Sequence, residues 1–210
     1  MRLTSSELKD QAPIPPRFAF GKLADDAPMA LSDNLSPHLA WSDAPAATRS
    51  FVLLCVDPDV PSVADDVNQE GKTLPVDMPR VDFYHWVMID IAADLTELAT
   101  GQCSDGVTFG GKQKPAGPAG SRQGLNDYTG FMAGNPDMAG QYHGYDGPCP
   151  PWNDERLHHY IFTIYAVDVA NLDVPAQFTG EDVQAAIQGH VLAQASLTGT
   201  YTLNRSVAHP

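Results

Sequence analysis

Residues 145–169 read "YDGPCPPWNDERLHHYIFTIYAVDV", and the change of character halfway along this stretch decides how the chain is read. Up to Pro151, proline and glycine rule out a regular element, because proline removes a backbone donor and glycine loosens the backbone. From His158 the segment becomes rich in β-branched and aromatic residues, which marks a strand. Alternation along a strand puts His158 and Tyr160 on one face with Phe162 and Ile164, while His159 points the other way with Ile161 and Thr163. A rigid loop therefore enters a sheet where two groups able to bind protons or anions share a face.

Two further segments carry the same signature, "RSFVLLCVD" (49–57) and "DFYHWVMIDI" (82–91). Strands this apolar on both faces predict the buried layers of a sandwich. Shorter strands are expected at Phe18–Phe20, Leu39–Trp41 and Thr200–Leu203. One long helix is expected: Thr179 and Asp182 resemble a capping box, and Val183, Ala186, Ile187, His190 and Val191 follow at helical spacing, to about Ala195. Long loops fall at 60–81 and 101–143, and loops of that length are usually functional or packed as covers.

Bulk properties exclude several classes. A chain of 210 residues with 43% apolar residues suits one globular domain, mainly β. No apolar run is long enough to span a bilayer, and the N-terminal stretch lacks the apolar core of a signal peptide, so the cytoplasm is the expected compartment. Cys55, Cys103 and Cys149 are widely spread with no C-x-x-C spacing, which argues against a disulfide framework and a structural zinc site. The formal charge is −14, with twelve basic residues scattered singly. That charge opposes binding to nucleic acid and any stable association with an anionic membrane. A small anionic ligand remains possible, because a local pocket can differ in sign from the whole.

Among the motifs, "GVTFGGKQ" (106–113) imitates a phosphate-binding loop but has Gln113 where Ser or Thr is needed, and Lys114-Pro115 bars the helix that should follow. "VDPDVP" (56–61) carries more chemistry. Asp57 continues the face of Phe51, Leu53 and Cys55, and Pro58 and Pro61 are expected to end the strand there. The plainer reading is that Asp57 and Asp59 cap a turn. Parity assigns His85 to the face of Phe83, Val87 and Ile89, where a histidine is more often a core residue than a ligand contact. Adjacent strands can nevertheless bring Asp57, His85, His158 and Tyr160 into one pocket. Imidazole N–H and phenol O–H donors, with Asp57 orienting or charging a histidine, suit a phosphate or carboxylate.

In order along the chain, "DPDVP", "YHWVMIDI", "GYDGPCPP" and "LHHYIFTIYAV" resemble the phosphatidylethanolamine-binding protein family, and more closely its bacterial Raf-kinase-inhibitor-like branch. The resemblance covers roughly residues 17 to 203. It implies a Greek-key β-sandwich with a few short helices, one near the C-terminus, and a small anion-binding pocket. The pocket residues fall on Asp57, His85, His158 and Tyr160, with Pro148 and Cys149 of "GPCPP" at the wall and Phe83 as an aromatic neighbour. It also implies a binding or regulatory protein with no catalytic residue, no metal and no cofactor. The expected ligand carries a phosphate or carboxylate: a phospholipid headgroup, a phosphorylated small molecule or a side chain of a protein partner. Two alternatives stand beside this, a metal-assisted hydrolase using Asp57, Asp59, His85 and His158, and an interaction scaffold acting through the long loops. This chain departs from the family in "HHY" where members commonly read "HRY", in its larger loops, and in Cys149 where some relatives have glycine.

Overall fold

A computed structural model describes residues 1–208. In chain order the strands are β1 (Arg2–Thr4), β2 (Ala12–Pro13), β3 (Gly21–Lys22), β4 (Ala30–Leu31), β5 (Leu39–Ser42), β6 (Ser50–Pro61), β7 (Arg80–Ala92), β8 (Glu97–Leu98), β9 (Arg122–Gln123), β10 (His158–Val167) and β11 (Val191–Tyr201). Two short helices, α1 (Tyr128–Phe131) and α2 (Gly180–Ala186), complete the list with a 3-10 turn at Pro16–Phe18. Among the described residues no helix is long and apolar enough to cross a membrane.

The three segments picked out by their apolar, β-branched character become β6, β7 and β10, at the centre of a six-stranded sheet of order β2-β11-β10-β6-β7-β9. A three-stranded sheet, β1-β5-β8, packs against one face. Between them lies a core that includes Leu39 and Trp41 from the small sheet and Phe51, Leu53, Trp86, Met88, Phe162 and Ile164 from the large one. The opposite face carries Val52, Leu54, Val87 and Ile89, covered by Val183 in α2 and by Phe178 and Ile187 just before and after it. Burial on both faces is the physical reason these strands lack polar alternation. The chain is thus mainly β, a sandwich with few helices.

The helix expected to reach Ala195 stops at Ala186. Its start is as read: the Thr179 hydroxyl accepts from the Asp182 N–H, and the Asp182 carboxylate accepts from the Thr179 N–H at 2.9 Å. Gly189 at φ +82° reverses the chain, and residues 191–201 then pair antiparallel with β10 along its length. Tertiary pairing overrides the helical spacing of Ile187, His190 and Val191. It also makes the last strand far longer than the predicted Thr200–Leu203. The segment Phe18–Phe20 forms no strand: Phe18 closes the 3-10 turn that starts at Pro16, and Ala19 and Phe20 follow as a bend.

Of the two prolines expected to end β6, Pro61 is its last residue and Pro58 does not end it. The pairing register slips between Asp57 and Val60, so Pro58 sits in a bulge where no ladder donor is required, and β6 continues to Pro61 opposite Arg80. Asp57 stays on the face of Phe51, Leu53 and Cys55, as parity predicts.

Candidate functional site

A second bulge decides the site. Cys55 pairs with Trp86, but the next residue, Val56, pairs with Tyr84, leaving His85 as an extra residue on β7. An extra residue shifts alternation by one. Val87 and Ile89 therefore belong to the core under α2, whereas His85 joins Phe83 on the other side, beside Asp57 and Tyr160. The parity assignment of His85 to the face of Val87 and Ile89 is corrected by this slip.

These residues line a cavity of about 490 Å³. Its polar end is formed by Asp57, His85, His158 and Tyr160, and its walls by Val60, Pro61, Val67, Phe83, Leu125, Tyr128, Phe131, Cys149 and Pro151, among others. Six of the seven residues proposed from the sequence thus line one space. Pro148 does not: its carbonyl accepts from the N–H groups of Phe20 and Gly21 at 2.9 and 3.1 Å, fixing the wall loop from behind, while Pro150 and Pro151 face the cavity. The Cys149 Sγ packs on Gly21, and burial pushes the thiol up to about 12, so it acts as wall and not as nucleophile.

His158 is fully buried with both ring nitrogens committed. Nδ1 lies 2.7 Å from Asp57 Oδ2, and Nε2 lies 3.1 Å from Asp154 Oδ2. Burial by itself disfavours the imidazolium, but Asp57 and Asp154 outweigh it and lift His158 to about 9. Carboxylates on both sides require both nitrogens to donate, so the ring is charged at neutral pH. Asp154 in turn receives Arg80, whose Nη2 donates to Oδ1 at 3.0 Å. The expectation that His158 donates to a bound anion is therefore corrected. It has no free N–H, and its role is to hold Asp57.

His85 is nearly as buried and differently partnered. Its Nδ1 lies 2.8 Å from the Asp146 carbonyl oxygen, which can only accept, so Nδ1 carries the proton. Burial lowers the pKa of this histidine, partly opposed by Asp57 and by that carbonyl. The ring is neutral, and its unprotonated Nε2 is left for the cavity. Tyr160 supplies the third group. Its hydroxyl is buried with no hydrogen-bond partner of good geometry, and burial, with Asp57 nearby, raises its pKa far above the ordinary phenol. An unpartnered buried hydroxyl is uncommon and calls for an explanation.

The wall is held by a hub that the sequence did not reveal. Asp146 is wholly buried, and its carboxylate accepts from Asn34 and Asn126 at 2.8 Å each and from Lys112 at 2.6 Å. Burial raises its pKa, and Lys112 and the two amides oppose the rise. Lys112 belongs to the glycine-rich segment that imitates a phosphate loop, and its ammonium is spent on this carboxylate. Gly147 follows because a Cβ there would meet the Phe18 carbonyl oxygen at 2.0 Å. The Tyr128 hydroxyl donates to the Gly147 carbonyl at 2.7 Å, which fixes α1 over the cavity.

Asp59 faces away from the cavity. It receives the Arg156 guanidinium and the His159 N–H at 3.0 Å, so His159 points outward as parity predicts. Asp57, Asp59, His85 and His158 consequently do not converge, and among the described residues no cluster of three or more His, Cys, Asp or Glu side chains is arranged to hold a metal. Sequence reasoning missed Asp154, Arg80, Asn126, Tyr128 and Phe131. Asp154 stands four residues before His158 in the opening quotation, but a carboxylate in an irregular loop has no periodicity to betray its direction. Of the two long loops, the part of the second near 125–131 and Ala64 and Val67 of the first border the cavity.

Comparison with known proteins agrees with this architecture. The family model described as phosphatidylethanolamine-binding protein matches residues 4–202. The UPF0098 protein YbhB of Escherichia coli K12 is 33% identical over 96% of this chain and 100% of its own length. A UPF0098 protein of Methanothermobacter thermautotrophicus is 32% identical over 96% and 98%. The crystal structure of E. coli YbcL, described as a new member of the mammalian PEBP family, matches with a TM-score of 0.68 and 25% identity over 96% of this chain and 97% of that one. A putative homologue from Chlamydia trachomatis matches at 0.63 and 28%, over 95% of each chain.

This chain belongs to the phosphatidylethanolamine-binding protein family.

Proposed function

We propose that this member of the family is a non-catalytic binding or regulatory protein whose cavity takes a small phosphate- or carboxylate-bearing ligand together with a proton. One observation carries the reading: the Tyr160 hydroxyl, buried beside Asp57 without a well-formed hydrogen bond, and His85, whose Nδ1 is taken by the Asp146 carbonyl, line the same cavity. Tyr160 can donate to an anionic oxygen. Neutral His85 can only accept at Nε2, so it welcomes the O–H of a monoanionic phosphate or an undissociated carboxyl, or else takes up a proton as a bare anion binds. No lysine or arginine lines the cavity, which disfavours a doubly charged ligand. Arg80 and Arg156 are turned to Asp154 and Asp59. The unpaired cysteines fit the cytoplasmic setting that this reading assumes.

Calorimetry with phosphate, acetate and O-phosphorylethanolamine at pH 5.5, 6.5 and 7.5 tests it, with NMR of the histidine rings. Affinity should rise as pH falls, since His85 then more readily becomes a donor. Tyr160→Phe should weaken binding about fivefold or more, the loss of one hydrogen bond to a charged group. If no histidine signal responds to any of the three ligands at any of these pH values, the anion reading fails.

A further inference from the structure

The cavity is much larger than its polar end requires. A cavity of roughly 150 Å³ already holds benzene, and this one measures about 490 Å³. A tetrahedral oxyanion held by Tyr160 and His85 leaves most of it unfilled. The remaining wall comes from the two long loops and the ends of the strands they join: Val60 and Val67 on one side, Phe83 and Phe131 on the other, Pro151 from the wall loop. Three rings meet there almost at right angles. Phe83 lies 5.3 Å from Tyr128 at 84° and 6.3 Å from Phe131 at 79°, and Tyr128 lies 6.4 Å from Phe131 at 86°. Phe131 is 48% exposed at the mouth, so its ring is accessible to a ligand. Such a corner presents faces and edges on which another ring can stack or stand edge-on.

Charge narrows the class further. Asp127 also lines the cavity. Burial raises its pKa, and Glu181 close by adds to the rise. Beyond the polar end the lining thus offers the Asp127 carboxylate and no lysine or arginine, so a second negative group on the ligand has nowhere to go.

We infer that the loop-built part of the cavity is a second subsite for a ring-sized apolar group, so that the ligand is an aryl-bearing monoanion and not a free oxyanion or an alkyl headgroup. The inference rests on the head-group reading above for its polar end. Phe131 and Val67 are the specificity-determining residues, since they come from the loops and touch the ring and not the head.

Calorimetry at pH 6 with phenyl phosphate, inorganic phosphate and O-phosphorylethanolamine tests it, on wild type, Phe131→Ala and Val67→Ser. Both substitutions are at exposed or half-exposed positions, so the fold should survive, and a melting curve checks this. Phenyl phosphate should bind at least tenfold tighter than either of the others, and both variants should reduce that advantage to less than threefold while leaving phosphate affinity unchanged. Equal binding of phenyl phosphate and phosphate overturns the ring subsite but leaves the head site standing. Tighter binding of O-phosphorylethanolamine than of phenyl phosphate also overturns it, in favour of an alkyl headgroup. Binding of none of the three overturns both.

Discussion

His158 on β10 and His85 on β7 stand on the two strands that flank β6, one 0% and the other 3% exposed, yet they carry different charges. Burial acts on both alike and disfavours the imidazolium. What separates them is the partner. His158 lies between two carboxylates and is lifted to about 9, whereas His85 meets a backbone carbonyl and is lowered. The first histidine is closed on both sides and serves the fold; the second keeps one nitrogen open and serves the cavity. Burial alone does not tell what a histidine does, because the group facing each nitrogen sets its charge and its freedom to bind.

The comparison can be broken most decisively at His158. Replacing it with alanine leaves Asp57 and Asp154 buried without the cation between them, and removing one partner of a buried ion pair costs about 3–5 kcal/mol. Urea denaturation measures this directly, and a loss below 1 kcal/mol would show that the ring is not the cation described. A titration of stability comes next. A histidine raised from 6.5 to about 9 stabilises the fold fully below 6.5 and loses that contribution as pH rises through 9. The difference of 2.5 corresponds to about 3 kcal/mol at 1.36 kcal/mol for each pH unit. The urea midpoint should therefore fall between pH 6.5 and 9.5, and a flat profile over that window would contradict the pairing. His85 has the opposite sign: its folded pKa is lowered, so its contribution is present above 6.5 and fades as pH falls below it.

Smaller effects sharpen the contrast. His85→Gln should cost about 1–2 kcal/mol, mostly for the hydrogen bond to the Asp146 carbonyl and the ring packing. It should leave the alkaline loss of stability intact while weakening ligand binding. Tyr160→Phe should change stability least, within about 0.5 kcal/mol either way, because its hydroxyl makes no well-formed hydrogen bond to lose. If that variant is strongly destabilised, the hydroxyl is bonded within the protein and is not held for a ligand.

The sheet was readable from the chain because its signal is local. Runs such as "FVLLCV" and "YIFTIYAV" can be buried only between two layers, and the capping box at Thr179 and Asp182 is a matter of adjacent residues. The helix beyond Ala186 misled for the same reason: spacing at 187, 190 and 191 fits a helix equally well until β10 offers a ladder to pair with. The cavity was half legible. Its residue types lie on three recognisable strands, and the resemblance of their motifs to a known family names the same positions.

By itself the sequence determined that this is a mainly β chain of one family, with a formal charge of −14 and with Asp57, His85, His158 and Tyr160 as its polar candidates, because composition, periodicity and motif are properties of neighbours in the chain. Only the tertiary structure decided what those candidates do. A one-residue bulge turned His85 from one face of the sheet to the other. Asp154, from an irregular loop, took the second nitrogen of His158 and removed it from ligand contact. The rings that meet at the mouth come from a strand and a short helix some forty-five residues apart in sequence. Direction and distance across a fold depend on every intervening bulge and turn, and a small error in register is enough to reverse a face.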